Sequence, residues 1–472
     1  MVMKLLKSKI FRSGAATFLM LLLLSGCANT KTFKSQFEGM EQKLAKEEYG
    51  VLLNQIESKK DDFYKAKDRV VYYLDTGMLQ HYRGNYELSN ESLSKAEDAM
   101  EELFTKSVSK AATSLLINDN VLDYAGEPYE DIYVNVFKAL NYLGLNDFES
   151  ASVEIRRINV KLAQLQDKYQ KKAEKLNSSS DKKADFKAAD NKFHNSALGR
   201  YLGMLMYRAE NQQDDARIDK EKIHEAFKLQ SSIYNFKEPD LDSYLDFTGK
   251  AKLNIIGFTG KSPDKKAETF YIHSEKNLLV IAETGENPRG NQQLKELDAL
   301  YWPGIEKGYH FKFQTPFMEK RHSDVKSVRV LIDGKKAGNL QLIEDIANVA
   351  EKTYELKVPI IYLKTITRTV AKGLLSEKGK SEMEKKLNNP LLGFAARMAT
   401  DIAVDATENA DLRISRFFPA KALVGEFEVE PGKHDVSIEY LNGSGVVIHT
   451  RNYPDKYIGT EGLNLIEAYY LK

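Results

Sequence analysis

Residues 131–162 read DIYVNVFKALNYLGLNDFESASVEIRRINVKL. Apolar residues recur at three- and four-residue spacing on either side of Asn146-Asp147-Phe148, the pattern of two amphipathic helices joined by a short turn. Ala139 is small where the two helices would touch, and Tyr142 follows close behind it. Ala151, Ile155 and Ile158 then line one face of the second helix.

Weaker copies of this phrase flank it. RVVYYLDTGMLQHYRGNYELSNESLSKAEDAME, from Arg69, places Gly77 before the turn Gly84-Asn85-Tyr86 and Leu93 and Ala96 after it. ALGRYLGMLMYRAENQQDDARIDKEKIHEAF, from Ala197, turns at Asn211-Gln212-Gln213 and continues with Ala216 and Ile223. A degenerate start lies around residues 45–56. The recurring order of small, aromatic, turn, small and apolar positions resembles a tetratricopeptide repeat, in which each helix pair buries its apolar face only against its neighbours. The expectation is a tetratricopeptide-like helical repeat domain over 39–238. The charged run DKYQKKAEKLNSSSDKKADFKAADNKF, from Asp167, reads as helix extensions meeting at an exposed turn. On the helix that would line the concave face, Tyr129, Asn135, Lys138, Asn141 and Tyr142 are the candidate partner-binding residues, since amide and ammonium groups at helical spacing suit a peptide backbone. The competing reading is that these asparagines bond the neighbouring repeat.

From about residue 246 the period changes to that of strands. LNIIGFTGKSPD from Leu253 and LLVIAETGENPR from Leu278 align without gaps, each an apolar strand ending in Thr-Gly-x-x-Pro. Glycine there permits positive φ and proline stops further pairing. YHFKFQTPF, VKSVRVLID closing on Asp333-Gly334, GEFEVEPGKHDVSIEYLNGSGVVIHT with turns at Pro431-Gly432 and Asn442-Gly443, and LNLIEAYYL add further strands. A helical insertion is expected at about 341–408, amphipathic with a break at Pro359 and containing a small-residue helix after Pro390. The fold class is therefore α+β multidomain: an N-terminal α-helical tetratricopeptide-like solenoid followed by a β-sandwich-like domain, 246–472, with inserted helices.

At the N-terminus, Lys4, Lys7, Lys9 and Arg12 precede an apolar run that ends at Ser25-Gly26-Cys27. The run is too short for a membrane span and reads as a signal peptide, 1–26. Leu24-Ser25-Gly26-Cys27 resembles the bacterial lipobox, which implies lipidation of Cys27, the single cysteine of the chain, a tether over 27–38 and permanent membrane attachment. Ala28 after the cysteine implies, by the same resemblance, sorting to the outer membrane, with the protein facing the periplasm. With that thiol acylated, no disulfide, thiolate metal site or cysteine nucleophile remains.

The charge balance of 69 Lys+Arg against 68 Asp+Glu argues against nucleic acid, which needs a basic face. Gly260-Lys261-Ser262 is not a phosphate loop, because Ile255 stands where the first glycine is required. The eight histidines fall at no metal-ligand spacing, and no serine-hydrolase phrase is present. No catalytic residue, metal site, nucleotide or cofactor is expected. Asn118, Asp119, Asp123, Glu127, Glu130 and Asp131 cluster around Pro128, as helix-start residues do; calcium ligation is the alternative, unsupported by a glycine-centred loop.

The lipobox, the helix pairs and the phrases EPYEDIYVNVFKALNYL, ALGRYLGMLMYRAE, LIEDIANVA and ENADLRISRFFPAK together are similar to an uncharacterised family of bacterial lipoproteins with tetratricopeptide-like helical repeats. The resemblance implies architecture and address. The functional expectation is a lipid-anchored cell-envelope scaffold or adaptor that binds an envelope protein through its helical repeats. The alternative is an enzyme or ligand-binding protein acting on cell-wall glycan or lipid through the β-rich domain, with Arg413 as its candidate ligand residue.

Overall fold

The computed structural model describes residues 37, 39–109, 117–178, 187–246, 249–286, 292–371 and 409–472. The chain divides into two compact units, Met1–Met40 and Glu41–Lys472, and the elements below belong to the second. Cys27, the signal sequence and the small-residue helix expected after Pro390 lie outside the described residues.

The N-terminal region is helical and the C-terminal region strand-rich, a mixed α+β fold. Helix α1, Tyr49–Ser58, packs on α2, Arg69–Tyr82, and α2 pairs with α3, Tyr86–Ser109. A second pair is α4, Pro128–Gly144, with α5, Phe148–Ser178. The third is α6, Ala197–Ala209, with α7, Gln213–Leu229. Each turn holds a residue at positive φ: Gly84 at 75°, Asn146 at 58° and Asn211 at 61°. Asparagine and glycine reach that region at little cost, so the turn residues seen in the sequence are there for backbone reasons.

The small residues preceding the turns set how closely the helices approach. A Cβ on Gly77 would lie 2.7 Å from the Leu93 side chain, and one on Gly203 would lie 2.1 Å from an Asp219 carboxylate oxygen. Ala in place of Gly77 gains helix propensity, but Leu93 is fully buried and has no room to retreat. Gly77→Ala is therefore expected to cost about 1–3 kcal/mol. A lower urea midpoint at unchanged slope checks it.

Strands β1 to β12 build three four-stranded sheets. In the first, of order β12-β1-β9-β8, β1 (Ala251–Lys261) pairs parallel with β12 (Asn464–Tyr470) and antiparallel with β9 (Pro419–Val429), which in turn pairs with β8 (Gln341–Asp345). The second, of order β11-β10-β6-β7, runs through β6 (Ser327–Ile332), β7 (Lys335–Asn339), β10 (Gly432–Leu441) and β11 (Val447–Ile458). Leu253, Ile255, Ile466 and Ala468 of the first sheet share a core with Val328, Val330, Ile438 and Tyr440 of the second, which makes a sandwich.

The opposite face of the first sheet meets the helices. Phe258 lies 5.5 Å from Phe137 of α4, Tyr469 bonds His81 of α2 at 2.6 Å, and Glu426 pairs with Arg208 of α6. Burial on both faces explains why LNIIGF reads as a continuous apolar run rather than an alternation.

The third sheet, of order β4-β3-β2-β5, stands apart from the sandwich. It comprises β2 (Asp264–Glu275), β3 (Leu278–Glu286), β4 (Gln292–Tyr301) and β5 (His310–Glu319). Phe270, Ile272, Leu279, Trp302 and Phe313 pack there against Ile366 and Val370. Those two residues belong to α9, residues 358–371, which follows α8 (Ile346–Tyr354).

The expected β-sandwich thus accounts for two sheets and leaves a third covered by helix. The Leu253/Leu278 sequence repeat is not a structural repeat either. Its two copies, β1 and β3, sit in different sheets, and the Gly260–Pro263 turn carries the chain from one sheet to another instead of closing a hairpin. The Asp333-Gly334 hairpin does form, with φ of 52° and 72°, as a type I′ turn requires.

Candidate functional site

The polar residues expected on an open helical groove are inside the molecule. Asn135 and Asn141 are 0% exposed and Lys138 is 2% exposed. Asn135 Nδ2 donates to Glu97 at 2.9 Å and to Glu154 at 2.6 Å, and Lys138 Nζ lies 2.8 and 3.1 Å from the same two carboxylates. Asn141 donates to Ser89 Oγ and Asn90 Oδ1 at 2.9 and 2.8 Å, while its own oxygen lies 2.6 Å from His81 Nδ1. These contacts tie α4 to α2, α3 and α5. The partner-binding assignment is therefore corrected: the donors of Asn135, Lys138 and Asn141 are consumed within the chain, as buried donors must be, and of the two amide oxygens only that of Asn135 is left without a partner among the described residues. Tyr129 is likewise buried, 5.9 Å from Phe418, and only Tyr142 keeps part of its ring exposed.

The helices instead hold the chain's own C-terminal region. Tyr82 donates to the Phe417 carbonyl, Asp75 accepts from Ser415 and Arg416, and Glu344 of β8 accepts from groups of α4 and α6.

Arg413 is also engaged. Its guanidinium donates to Asp411 through Nε at 2.9 Å and Nη2 at 2.8 Å, to Asp68 at 3.0 Å and to the Asp119 carbonyl at 2.8 Å, above the Tyr124 ring. Burial opposes this charge, but Asp411 and Asp68 outweigh it and raise the pKa above the usual guanidinium value. As a free ligand residue Arg413 is corrected too; it fastens the 409–413 loop to the helical region.

Apart from Asp123, which is exposed, the acids around Pro128 have cations or caps as partners. Glu130 accepts from the Glu127 N–H at 2.8 Å, as the third residue of a capped helix does, and also from Tyr124 and Ser415. Burial, reinforced by Glu127, lifts Glu130 to about 7 against those donors. Asp131 pairs with Lys161 and Lys168. Among the described residues no group of acids and histidines is arranged to hold a metal ion.

What these acids frame is a cavity of about 260 Å³ between α3, α5, the 118–127 segment, β2, β5, α9 and the 409–411 loop. Four of its lining cations are Lys172, Lys265, Lys357 and Lys364. Lys265 and Lys357 share one buried carboxylate, Glu127, the latter at 2.7 Å, and Lys364 pairs with Asp119. Burial opposes the Glu127 charge, but the two ammonium groups overcome it and hold its pKa low.

Lys172 has no ion pair among the described residues; its Nζ lies 5.2 Å from the centroid of the Phe104 ring. Burial, with Lys364 and Lys357 close by, lowers it to about 7. One helical turn earlier, Tyr169 lines the same cavity, and its hydroxyl has no hydrogen-bond partner among the described residues. Tyr124 and Tyr354 add aromatic wall, while their own hydroxyls are spent on Glu130 and the Pro316 carbonyl.

An unpaired ammonium, an unpaired phenol and two lysines competing for one carboxylate form a local excess of positive charge and donors. Chemically this is an acceptor for an anion. Lys172 sits in the charged run read as helix extensions meeting at an exposed turn; the missed signal is its place beside Tyr169 and Ala173 on the buried line Leu162, Leu165, Tyr169, Ala173 and Leu176. Lys364 and Arg368 were also legible as a four-residue pair inside the apolar phrase PIIYLKTITRTV, where a charge must find a partner.

No family model matches the chain, and neither the curated proteins nor the solved structures contain a match. Among the described residues no helix is long and apolar enough to cross a membrane.

Proposed function

We propose that this chain is a lipid-anchored envelope protein whose tetratricopeptide-like helical half clamps its own strand-rich half, and that the cavity between them binds an anionic ligand without catalysis. The observation that carries the reading is Lys172, an ammonium without a carboxylate partner in a cavity where Lys265 and Lys357 divide a single Glu127. The adaptor reading loses its main support with the burial of Asn135 and Asn141. Ligand binding gains it.

Anchorage at Cys27, in the outer membrane facing the periplasm, rests on the lipobox resemblance of Leu24-Ser25-Gly26-Cys27. Cys27→Ser is expected to abolish palmitate incorporation and to move the protein out of the membrane fraction. Retention of label in that variant would exclude the anchor.

The binding test uses the full chain in detergent and sulfate as the probe, since sulfate stays doubly charged across the range. Lys172→Met is expected to weaken sulfate binding about tenfold or more, one charge-assisted contact being worth roughly 1.5–3 kcal/mol. The pH dependence follows from the lowered pKa. Lys172 is charged below about 7 and neutral above it, so wild-type affinity falls as pH rises from 6 to 8.5, and Lys172→Met removes that slope. Equal sulfate affinity in the two proteins at pH 6 would reject the site.

A further inference from the structure

A second cavity of about 260 Å³ adjoins the first, with Pro316, Tyr354 and Ile361 lining both. Half of its own lining is apolar, Phe317, Met318, Val358 and Tyr362, and the other half is Thr315 and three glutamates. Two of its three glutamates are already committed: Glu351 to Lys320 at 3.1 Å, and Glu355 to Lys352 and Lys192 at 2.7 and 3.2 Å. Glu268 has no cation partner among the described residues and is exposed. An anion is repelled from this chamber and drawn to its neighbour. An alkyl chain has the opposite preference.

The geometry points to a single amphiphilic ligand spanning both chambers, a phosphate monoester of an alkyl or lipid alcohol, with its phosphate against Lys172 and Lys357 and its chain against Phe317, Met318 and Val358. This rests on the anion-binding reading above and adds the ligand's class and orientation. Phosphate is favoured over carboxylate by charge. Lys172 contributes one positive charge without a partner, and the Lys265–Glu127–Lys357 group contributes a second, against the exposed Asp123 carboxylate on the same lining; a dianion matches the two cations better than a monoanion does, and lysine is well suited to phosphate as a point charge. The apolar half supplies affinity that the charges alone do not, at the usual gain per buried methylene.

The test titrates the full chain in a detergent whose micelles exclude short alkyl phosphates, with three probes: inorganic phosphate, glycerol 1-phosphate and hexyl phosphate. Hexyl phosphate is expected to bind about tenfold or more tightly than glycerol 1-phosphate. Val358→Trp, which fills the apolar chamber, is expected to remove that advantage while leaving inorganic phosphate affinity within twofold of wild type. Equal affinity of wild type for hexyl phosphate and glycerol 1-phosphate overturns the two-chamber ligand but leaves anion binding standing, and this comparison needs no variant. Failure of all three probes to bind overturns both. Hexanol binding as tightly as hexyl phosphate also overturns the proposal, because the phosphate would then contribute nothing.

Discussion

Glu344→Ala is expected to lower the stability of the chain by about 4 kcal/mol, a large fraction of a typical margin of about 5–15 kcal/mol. Glu344 sits on β8 with 0% exposure and faces the helices. Its carboxylate accepts from the Tyr133 hydroxyl of α4, from Ser196 Oγ at 3.0 Å, from the Leu198 N–H at 3.0 Å and from Tyr234 at 2.8 Å. Burial raises its pKa and these donors oppose the rise. Removing the carboxylate would leave several buried donors without an acceptor, each costing about 1–3 kcal/mol less what rearrangement recovers. Glu344→Gln keeps the volume and one oxygen, so it should recover about half the loss. Urea unfolding of the three proteins measures both. An alanine variant with a wild-type midpoint would mean that the bridge from sheet to helices carries no stability.

That bridge also shows where the sequence was readable and where it was not. Helix pairs were legible because local rules govern them: the 3.6-residue period, Gly77 and Ala139 at the close approaches, and glycine or asparagine at positive φ in the turns. Strands with a tight turn were legible for the same reason, as Asp333-Gly334 shows. The assignment of strands to sheets was not. The register of β1 against β12 joins residues more than two hundred positions apart, and nothing in LNIIGFTG says which neighbour it takes. Polar residues on helices were misread by the same limit: Asn135, Lys138 and Asn141 look exposed when the facing helices are unknown. Lys172 failed in the opposite direction, as its run of charges masks the helically spaced line Leu162, Leu165, Tyr169, Ala173 and Leu176 beside it. The site lies between regions distant in sequence, from Lys172 to Lys364, so only its separate halves could have been suspected.

The second large effect is expected at Lys138. Its ammonium, 2% exposed, stands between Glu97 and Glu154, with Asn135 donating to both carboxylates and Lys161 reaching Glu97 at 2.8 Å. Lys138→Met preserves much of the volume but leaves two buried carboxylates facing each other, a change costing about 3–5 kcal/mol. Burial would raise the Glu97 pKa, but Lys161 and Lys138 lower it to about 2. A carboxylate depressed in the folded state contributes stability above its unfolded pKa of 4.5 and loses it as pH falls from there toward 2. At pH 4 the wild-type group therefore stays ionised and paired, whereas in Lys138→Met the repelling carboxylates take up a proton and the strain eases. The stability gap between the two proteins is expected to be widest near pH 7 and to narrow by pH 4. Adding Glu97→Gln to Lys138→Met should recover part of the loss at pH 7 and flatten the pH dependence. If instead the gap is constant across this range and the double variant is no more stable, Lys138 acts through packing of its methylene stem alone, and the charge network between α3, α4 and α5 has no energetic role.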